Sequence, residues 1–320
     1  MRKLVLQSKR AAYLAFLAGA MLPALSVTAV RADDEVEKKI REEVSRRVSD
    51  AVSNRIGDRL DGGPTTEDKL NNSAWLTASY NSLESDHSGL LEQAGMRFQS
   101  DVVNTTFGYD HRFGEAVFLG LSGSYTHAGT DSNLIGGGFK TESDNSSYTV
   151  SPYAAYVFNK HLFLSGLFSY TYSDAESRND FTGTTKSNSQ TFGTEIAANT
   201  AFNFGNWLLK GKAGWRFNHT DLLDAPSGSD DDTHANSAVV NGEVAYRFDR
   251  VVPYFQVQYE YVWPETTPGV QTGDKDYVFL TAGFRASITD NISAGASVKA
   301  EVLNKETNQI GGAAELRVRF

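Results

Sequence analysis

The run Asp230-Asp231-Asp232-Thr233-His234 sets carboxylates beside an imidazole, the pairing with which a surface hydrolase would activate water. The same carboxylates could hold Ca²⁺ weakly, since hard cations take oxygen ligands, but their spacing matches no calcium-loop template. A solvated acidic loop is the simpler reading. The other histidines, His87, His111, His127, His161 and His219, form no cluster with serine and asparagine of the kind a lipid hydrolase needs. Gly136-Gly137-Gly138 reads as a loop tip, because no helix follows it to make a phosphate cradle. Cysteine is absent, which removes thiolate metal sites, a cysteine nucleophile and a lipoprotein anchor. No catalytic, metal-ligating or cofactor-binding residue is assigned, and the chain is expected not to be an enzyme.

Charge at every second position is the stronger signal. It falls at Glu195, at Lys210, Lys212 and Arg216, and at Glu243, Arg247 and Glu260. It recurs at Arg285, at Lys299 and Glu301, and at Glu315, Arg317 and Arg319. Apolar residues fill the alternate positions. Trp207, Leu209, Ala213, Trp215 and Phe217 oppose Lys210, Lys212 and Arg216; Val278, Leu280, Ala282, Phe284 and Ala286 oppose Thr281, Arg285 and Ser287. The last stretch sets Ile310, Gly312, Ala314, Leu316, Val318 and Phe320 against Glu315, Arg317 and Arg319, up to the final residue. A period of two is a strand. Oil on one face and charge on the other, in strand after strand, suits a wall between lipid and water. Mixed signs on the wet face predict ion pairs across a lumen, or to helix residues Glu42, Glu43, Arg46 and Arg47, with simple solvation of the bore as the alternative.

Such rows need a closed sheet to position them. The composition permits one: 14 Tyr, 19 Phe and 28 Gly against 7 Pro and 3 Met. Mean hydropathy is negative. After residue 29 no apolar run approaches the roughly 20 residues of a membrane helix, which excludes a helical membrane protein but not a barrel. From about residue 73 the spacing gives about twelve strands of roughly 10–14 residues. Short connections near 112–114, 159–160, 204–206, 249–250 and 289–291 alternate with long ones near 84–97, 128–144, 174–189, 220–235 and 264–274, plus a shorter one near 304–307. The long ones hold Asp131, Glu142, Asp144, Asp174, Glu176, Asp180 and the aspartate run. The expected fold is all-β: an antiparallel transmembrane β-barrel of about twelve strands preceded by an N-terminal α-helix.

Residues 1–32 read as a cleaved secretory signal, with Arg2, Lys3, Lys9 and Arg10 before the apolar run Leu14–Val27 and small residues at Val30-Arg31-Ala32. They hold basic charges and no acid, so the remainder is more acidic than the whole-chain net of −9. That argues against nucleic acid as a partner. Residues 33–62 read as a helix, with Val36, Ile40, Val44, Val48, Val52, Ile56 and Leu60 four apart. A step of four drifts about 40° each time, so the stripe winds around the axis and suits a helix enclosed on several sides. Residues 63–72 form a linker and 73–320 the barrel.

The junction Ser53-Asn54-Arg55-Ile56-Gly57-Asp58-Arg59-Leu60, followed by Ala74-Trp75-Leu76, resembles that of autotransporter β-domains. There, a helix ending in a basic-apolar-Gly-Asp segment precedes a strand containing tryptophan. The resemblance covers about residues 50–320, and the row Gly312, Ala314, Leu316, Val318 and Phe320 is similar to the terminal assembly signal of outer-membrane barrels. It implies a twelve-stranded translocator barrel with a lumenal helix, in the outer membrane of a Gram-negative bacterium. Outer-membrane lipid and the barrel-assembly machinery would be its partners, with surface partners reached through long acidic loops. By the Gly57-Asp58 register, the paired asparagines at which some members cleave the helix are replaced by Asp50-Ala51, so cleavage is not expected. Nothing separates Ala32 from the helix, where that family carries a long passenger. The expectation is therefore a passengerless barrel with a structural, surface-display or adhesive role. A small-solute channel with a periplasmic or plugging helix is the alternative, and a hydrolase at the loop mouth ranks last.

Overall fold

The computed structural model describes helical residues 43, 44, 46, 48–52 and 54–56, and then 71–85, 96–134, 140–179, 183–223, 233–263, 276–303 and 307–320. The signal-like segment 1–32, most of the linker, Gly57-Asp58 and the run Asp230–Asp232 lie outside these residues.

Twelve strands follow the helical residues: β1 (Asn72–Ser85), β2 (Met96–Phe113), β3 (Val117–Leu134), β4 (Lys140–Asn159), β5 (Leu162–Asn179), β6 (Gly183–Phe204), β7 (Trp207–Leu222), β8 (Thr233–Tyr246), β9 (Val251–Trp263), β10 (Asp276–Ser287), β11 (Ile292–Val302) and β12 (Thr307–Arg319). Each pairs antiparallel with its neighbours in sequence, and β12 returns to β1 to close the barrel. The closing register runs from Ser73↔Arg319 to Ser85↔Thr307. Asn72 and Phe320 finish it by exchanging backbone hydrogen bonds of 3.2 and 3.1 Å. Closure leaves no row of unpaired backbone groups, which an open sheet edge would expose. Among the described residues no helix is long and apolar enough to cross a membrane.

The outer surface is oily. Two bands of aromatic side chains ring it. Tyr109, Phe113, Tyr156, Phe158, Phe204, Trp207, Phe248 and Phe320 lie toward the short connections; Tyr80, Tyr125, Tyr148, Tyr172, Tyr259 and Trp263 lie toward the long ones. On β4, Tyr148 and Tyr156 are eight residues apart, about 27 Å along the strand and about 20 Å along the axis of a barrel tilted by roughly 40°. That is somewhat less than the roughly 25 Å of an outer-membrane apolar band.

Strand length departs from expectation. β9 to β12 hold 11–13 residues, but β2 to β6 hold 18–22. The segments 128–144 and 174–189, expected as loops, are mostly strand: β3 runs to Leu134, β4 starts at Lys140, β5 runs to Asn179 and β6 starts at Gly183. Polar composition suggested loops, yet the inner face satisfies its hydroxyls and amides laterally. Thr130 donates to Ser100 at 2.9 Å and Asn179 donates to Thr141 at 3.2 Å, and just below the two segments Ser147 Oγ lies 2.8 Å from Ser173 Oγ. Cross-strand hydroxyl pairs of this kind stabilise a sheet as apolar pairs do. One wall thus rises beyond the aromatic band.

Inside the other end of the same wall, aromatic rings lie over glycines. Gly120 on β3 faces Tyr153 on β4, and a Cβ there would fall 2.1 Å from the ring; Gly108 on β2 faces Trp75 on β1, with a corresponding distance of 2.5 Å. These two glycines let bulky rings lie flat against the sheet and leave the lumen to the helix.

Candidate functional site in the barrel lumen

The helix presents two opposite faces to the barrel wall. Val44, Val48, Val52 and Ile56 are all buried. Val44 joins Leu83, Phe98, Val102 and Ala128 from β1 to β3. About two turns later, Val52 and Ile56 join Trp75, Phe118, Tyr153, Ala155, Phe163 and Leu167 from β1 and β3 to β5. The winding stripe therefore moves from β1 to β3 at one end toward β4 and β5 at the other, all on one side of the lumen.

The polar face meets the other side. Asp50 accepts from Arg216 Nη2 on β7 at 2.5 Å and from Lys299 Nζ on β11 at 2.8 Å. Arg216 also donates to Glu195 on β6 at 2.5 Å and reaches Glu260 on β9 at 3.5 Å, while Lys212 pairs with the second Glu195 oxygen at 2.5 Å. Arg46 lies 3.1 Å from Glu260 and 2.7 Å from Glu43, with its guanidinium over the rings of Tyr277 and Phe279 at 5.0 and 5.5 Å. Gln309 on β12 donates to Glu43 at 2.5 Å. Near the short connections, Arg55 forks onto Asp110 on β2 at 2.9 and 3.1 Å and donates to Ser73 at 2.8 Å. Tyr153, which accepts from Trp75 Nε1 at 3.0 Å, donates to the same carboxylate at 3.4 Å. Charges buried this deeply persist because each meets an opposite charge and hydrogen bonds.

Most of the charges read from the sequence are brought together here. Glu195, Lys212 and Arg216 surround Asp50, and Lys299 closes that group. Glu243 holds a second group, accepting from both Arg285 amino groups at 2.8 and 2.7 Å and pairing with Lys210 at 3.3 Å. Arg317 pairs with Glu315 along β12 at 2.6 Å. Glu301 accepts from Thr307 at 3.1 Å. Arg247 lies apart from both groups: β8 ends at Tyr246, and Arg247 falls in the connection to β9, its backbone N–H bonded to Asn206. By alternation it continues the inward row of Glu243 and Ala245, and its Nε is buried. Of the helix residues expected as partners, Glu43 and Arg46 take part, and Glu42 and Arg47 lie outside the described residues.

Asp50, Arg55 and Asp110 are not among the lumenal charges read from the sequence. A signal existed for Asp50: residues 43, 46 and 50 share one stripe by helical spacing. Arg55 figures in the sequence only as the basic residue of the junction before Gly57-Asp58, and Asp110 carries no signal without the barrel's register. Two polar cavities of about 100 and 40 Å³ flank the helix at Asn54. The larger is lined by Asn81, whose amide atoms are buried without partners, and by Gln258, whose Nε2 is likewise unpartnered. It has the size and polarity to hold water.

Elsewhere, Gly312, Ala314, Leu316, Val318 and Phe320 alternate with inward Glu315 and Arg317, and the large members of the row are exposed on the outer surface. His234 sits on the outward face of β8 and stacks with Phe217 and His219, away from the lumen mouth where the hydrolase reading needed it. Among the described residues no three His, Cys, Asp or Glu side chains converge as a metal site.

The model of the autotransporter β-domain family matches residues 74–299. No curated protein matches the chain by sequence. Among solved structures, the transport unit of the autotransporter AIDA-I from Escherichia coli is similar, with a TM-score of 0.66, 14% identity, and coverage of 78% of this chain and 90% of that one. The translocator domain of NalP from Neisseria meningitidis gives 0.59 at 13% identity, covering 87% and 98%. The β-domain of the Bordetella autotransporter BrkA gives 0.58 at 16%, covering 78% and 100%. A closed twelve-stranded barrel with an oily exterior, a charged lumen and this match over most of its length belongs to the autotransporter β-domain family, barrels of the Gram-negative outer membrane.

Proposed function

We propose that this barrel is a transport and display unit, with its helix as a lumenal plug that carries the preceding chain to the long-connection rim. The supporting observation is the helix's polarity. Its Ile56 end meets Asp110, Ser73 and Trp75, close to the short connections. Its Glu43 end meets Gln309, Leu83 and Phe98, close to the long ones. From residue 43 to 56 a helix spans about 20 Å, the separation of the two aromatic bands along the barrel axis. With long connections outside, as in outer-membrane barrels, the chain before Glu43 emerges at the cell surface. It emerges beside a raised wall bearing Asp131, Glu142, Asp144, Asp174 and Glu176 as contact points for surface partners. Residues 1–32 act as the removable export signal, and the outward row ending at Phe320 is read by the barrel-assembly machinery.

Two measurements test this. The chain has no cysteine, so Ser49→Cys provides a single label site in the lumen. The folded barrel should protect it from maleimide and the unfolded chain should not; free labelling of the folded form overturns the plug. Deleting residues 33–62 should raise single-barrel conductance in planar bilayers; unchanged conductance counts against the plug and favours a solute channel with its helix elsewhere.

A further inference from the structure

On the outward face, just beyond Phe217 on the long-connection side, two histidines meet across β7 and β8. His219 and His234 are register partners. Their Nδ1 atoms are 2.8 Å apart and their rings are inclined by only 18°. His219 Nε2 lies 2.6 Å from Asp221 Oδ1, and Asp221 is itself held by Gln190 Nε2 at 3.2 Å. Phe217 backs the His234 ring, with centroids 6.1 Å apart.

This arrangement fixes a tautomer. With Nε2–H donated to Asp221, a neutral His219 keeps its lone pair on Nδ1, pointed toward the second imidazole. Facing nitrogens at this separation need either a proton or a metal ion between them. A carboxylate gripping the far nitrogen is the companion that metal-bound histidines usually have. Two cis ligands about 2.0 Å from a tetragonal metal ion are about 2.8 Å apart, so the nitrogens already stand at the right separation. A turn of each ring by roughly 45° directs both lone pairs to a common point on the exposed side.

We propose that His219 and His234 form a surface site for a divalent transition metal, binding Cu²⁺ most tightly, with Asp221 as the positioning residue. Cu²⁺ suits it because it leads the affinity order for nitrogen ligands and accepts cis positions at right angles. The protein supplies two ligands and water the rest, in keeping with the absence of a three-residue cluster among the described residues. The bound ion would tie β7 to β8 where the wall leaves the apolar band. The proposal is independent of the transport reading.

The test uses the full folded barrel in detergent, one equivalent of Cu²⁺ and a non-coordinating buffer. The electron paramagnetic resonance spectrum should show hyperfine coupling to two equatorial nitrogens. His219→Ala and His234→Ala should each weaken binding by at least about tenfold and leave at most one coupled nitrogen from this pair. Asp221→Asn should weaken binding by about 10–100-fold while both nitrogens remain coupled, a split a merely structural role would not give. The double variant reports binding at the other histidines. Equal affinity and equal spectra for wild type and double variant overturn the site. If the alanine variants fail to refold, judged by heat-modifiable mobility, His219→Asn with His234→Gln serves in their place.

Discussion

Arg55→Ala should release the helix from the lumen while leaving the barrel closed. Arg55 and Asp110 have side-chain exposures of 1% and 0%. The guanidinium makes two bonds to the carboxylate and a third to Ser73. Removing one partner of such a pair strands the other as a buried charge, at a cost of about 3–5 kcal/mol. The barrel ladder is untouched, since none of its backbone bonds involves Arg55, so the cost falls on docking of the helix. At about 1.4 kcal/mol per tenfold, the undocked population should rise by roughly 10²–10⁴. The assay is the maleimide labelling rate of Ser49→Cys, which follows that population when reopening is fast. Arg55→Ala should accelerate labelling by at least about a hundredfold, with heat-modifiable mobility unchanged. Arg55→Leu combined with Asp110→Leu removes both charges and fills the space with oil, so most of the protection should return. Labelling of Arg55→Ala at the parent rate would refute the reasoning, as would a double variant labelling as fast as the single one.

Two smaller changes probe the wall itself. Gly120→Ala sets a methyl group into the Tyr153 ring, and overpacking of this kind costs about 1–3 kcal/mol; the temperature at which the refolded barrel loses its compact gel mobility should drop, and Tyr153→Ala in the same chain should restore tolerance of the methyl. Deleting Phe320 removes the backbone pair with Asn72 and an exposed terminal aromatic; membrane-inserted protein should fall severalfold in cell fractions, and normal insertion would count against the terminal row as an assembly signal.

The alternation that defines a lipid-facing strand is local, so it could be read residue by residue. Trp207 to Phe217 and Val251 to Trp263 show it without knowledge of any neighbour. The raised wall could not be read this way. Thr130, Thr141 and Ser143 look like loop until Ser100, Asn179 and Ser177 are known to stand opposite. The ion pairs required still more. Asp50 joins Arg216 from 166 residues away and Lys299 from 249. Which charge meets which depends on twelve registers and on the depth of the helix, and a slip of one residue would turn an inward row outward. Charge on the inner face was therefore legible, while its partners were not.

The helix shows why one of those partners matters most. At about 100° per residue, Val44, Val48, Val52 and Ile56 spread over an arc of about 120°, and Glu43, Arg46, Asp50 and Asn54 centre on the opposite side. That division matches the lumen: oily rings from β1 and β3 to β5 face one side, charged residues from β6, β7, β9 and β11 the other. Arg55 breaks it, because it projects about 20° from Val44, inside the oily arc. A guanidinium there is tolerable only if an acid enters from the wall, and Asp110, fully buried on β2, is that acid. Any lumenal helix of the opposite polarity would carry Arg55 away from the short connections and leave the buried Asp110 carboxylate without its guanidinium. The pair therefore selects the direction of the helix as well as its depth, and the direction decides at which rim the preceding chain emerges.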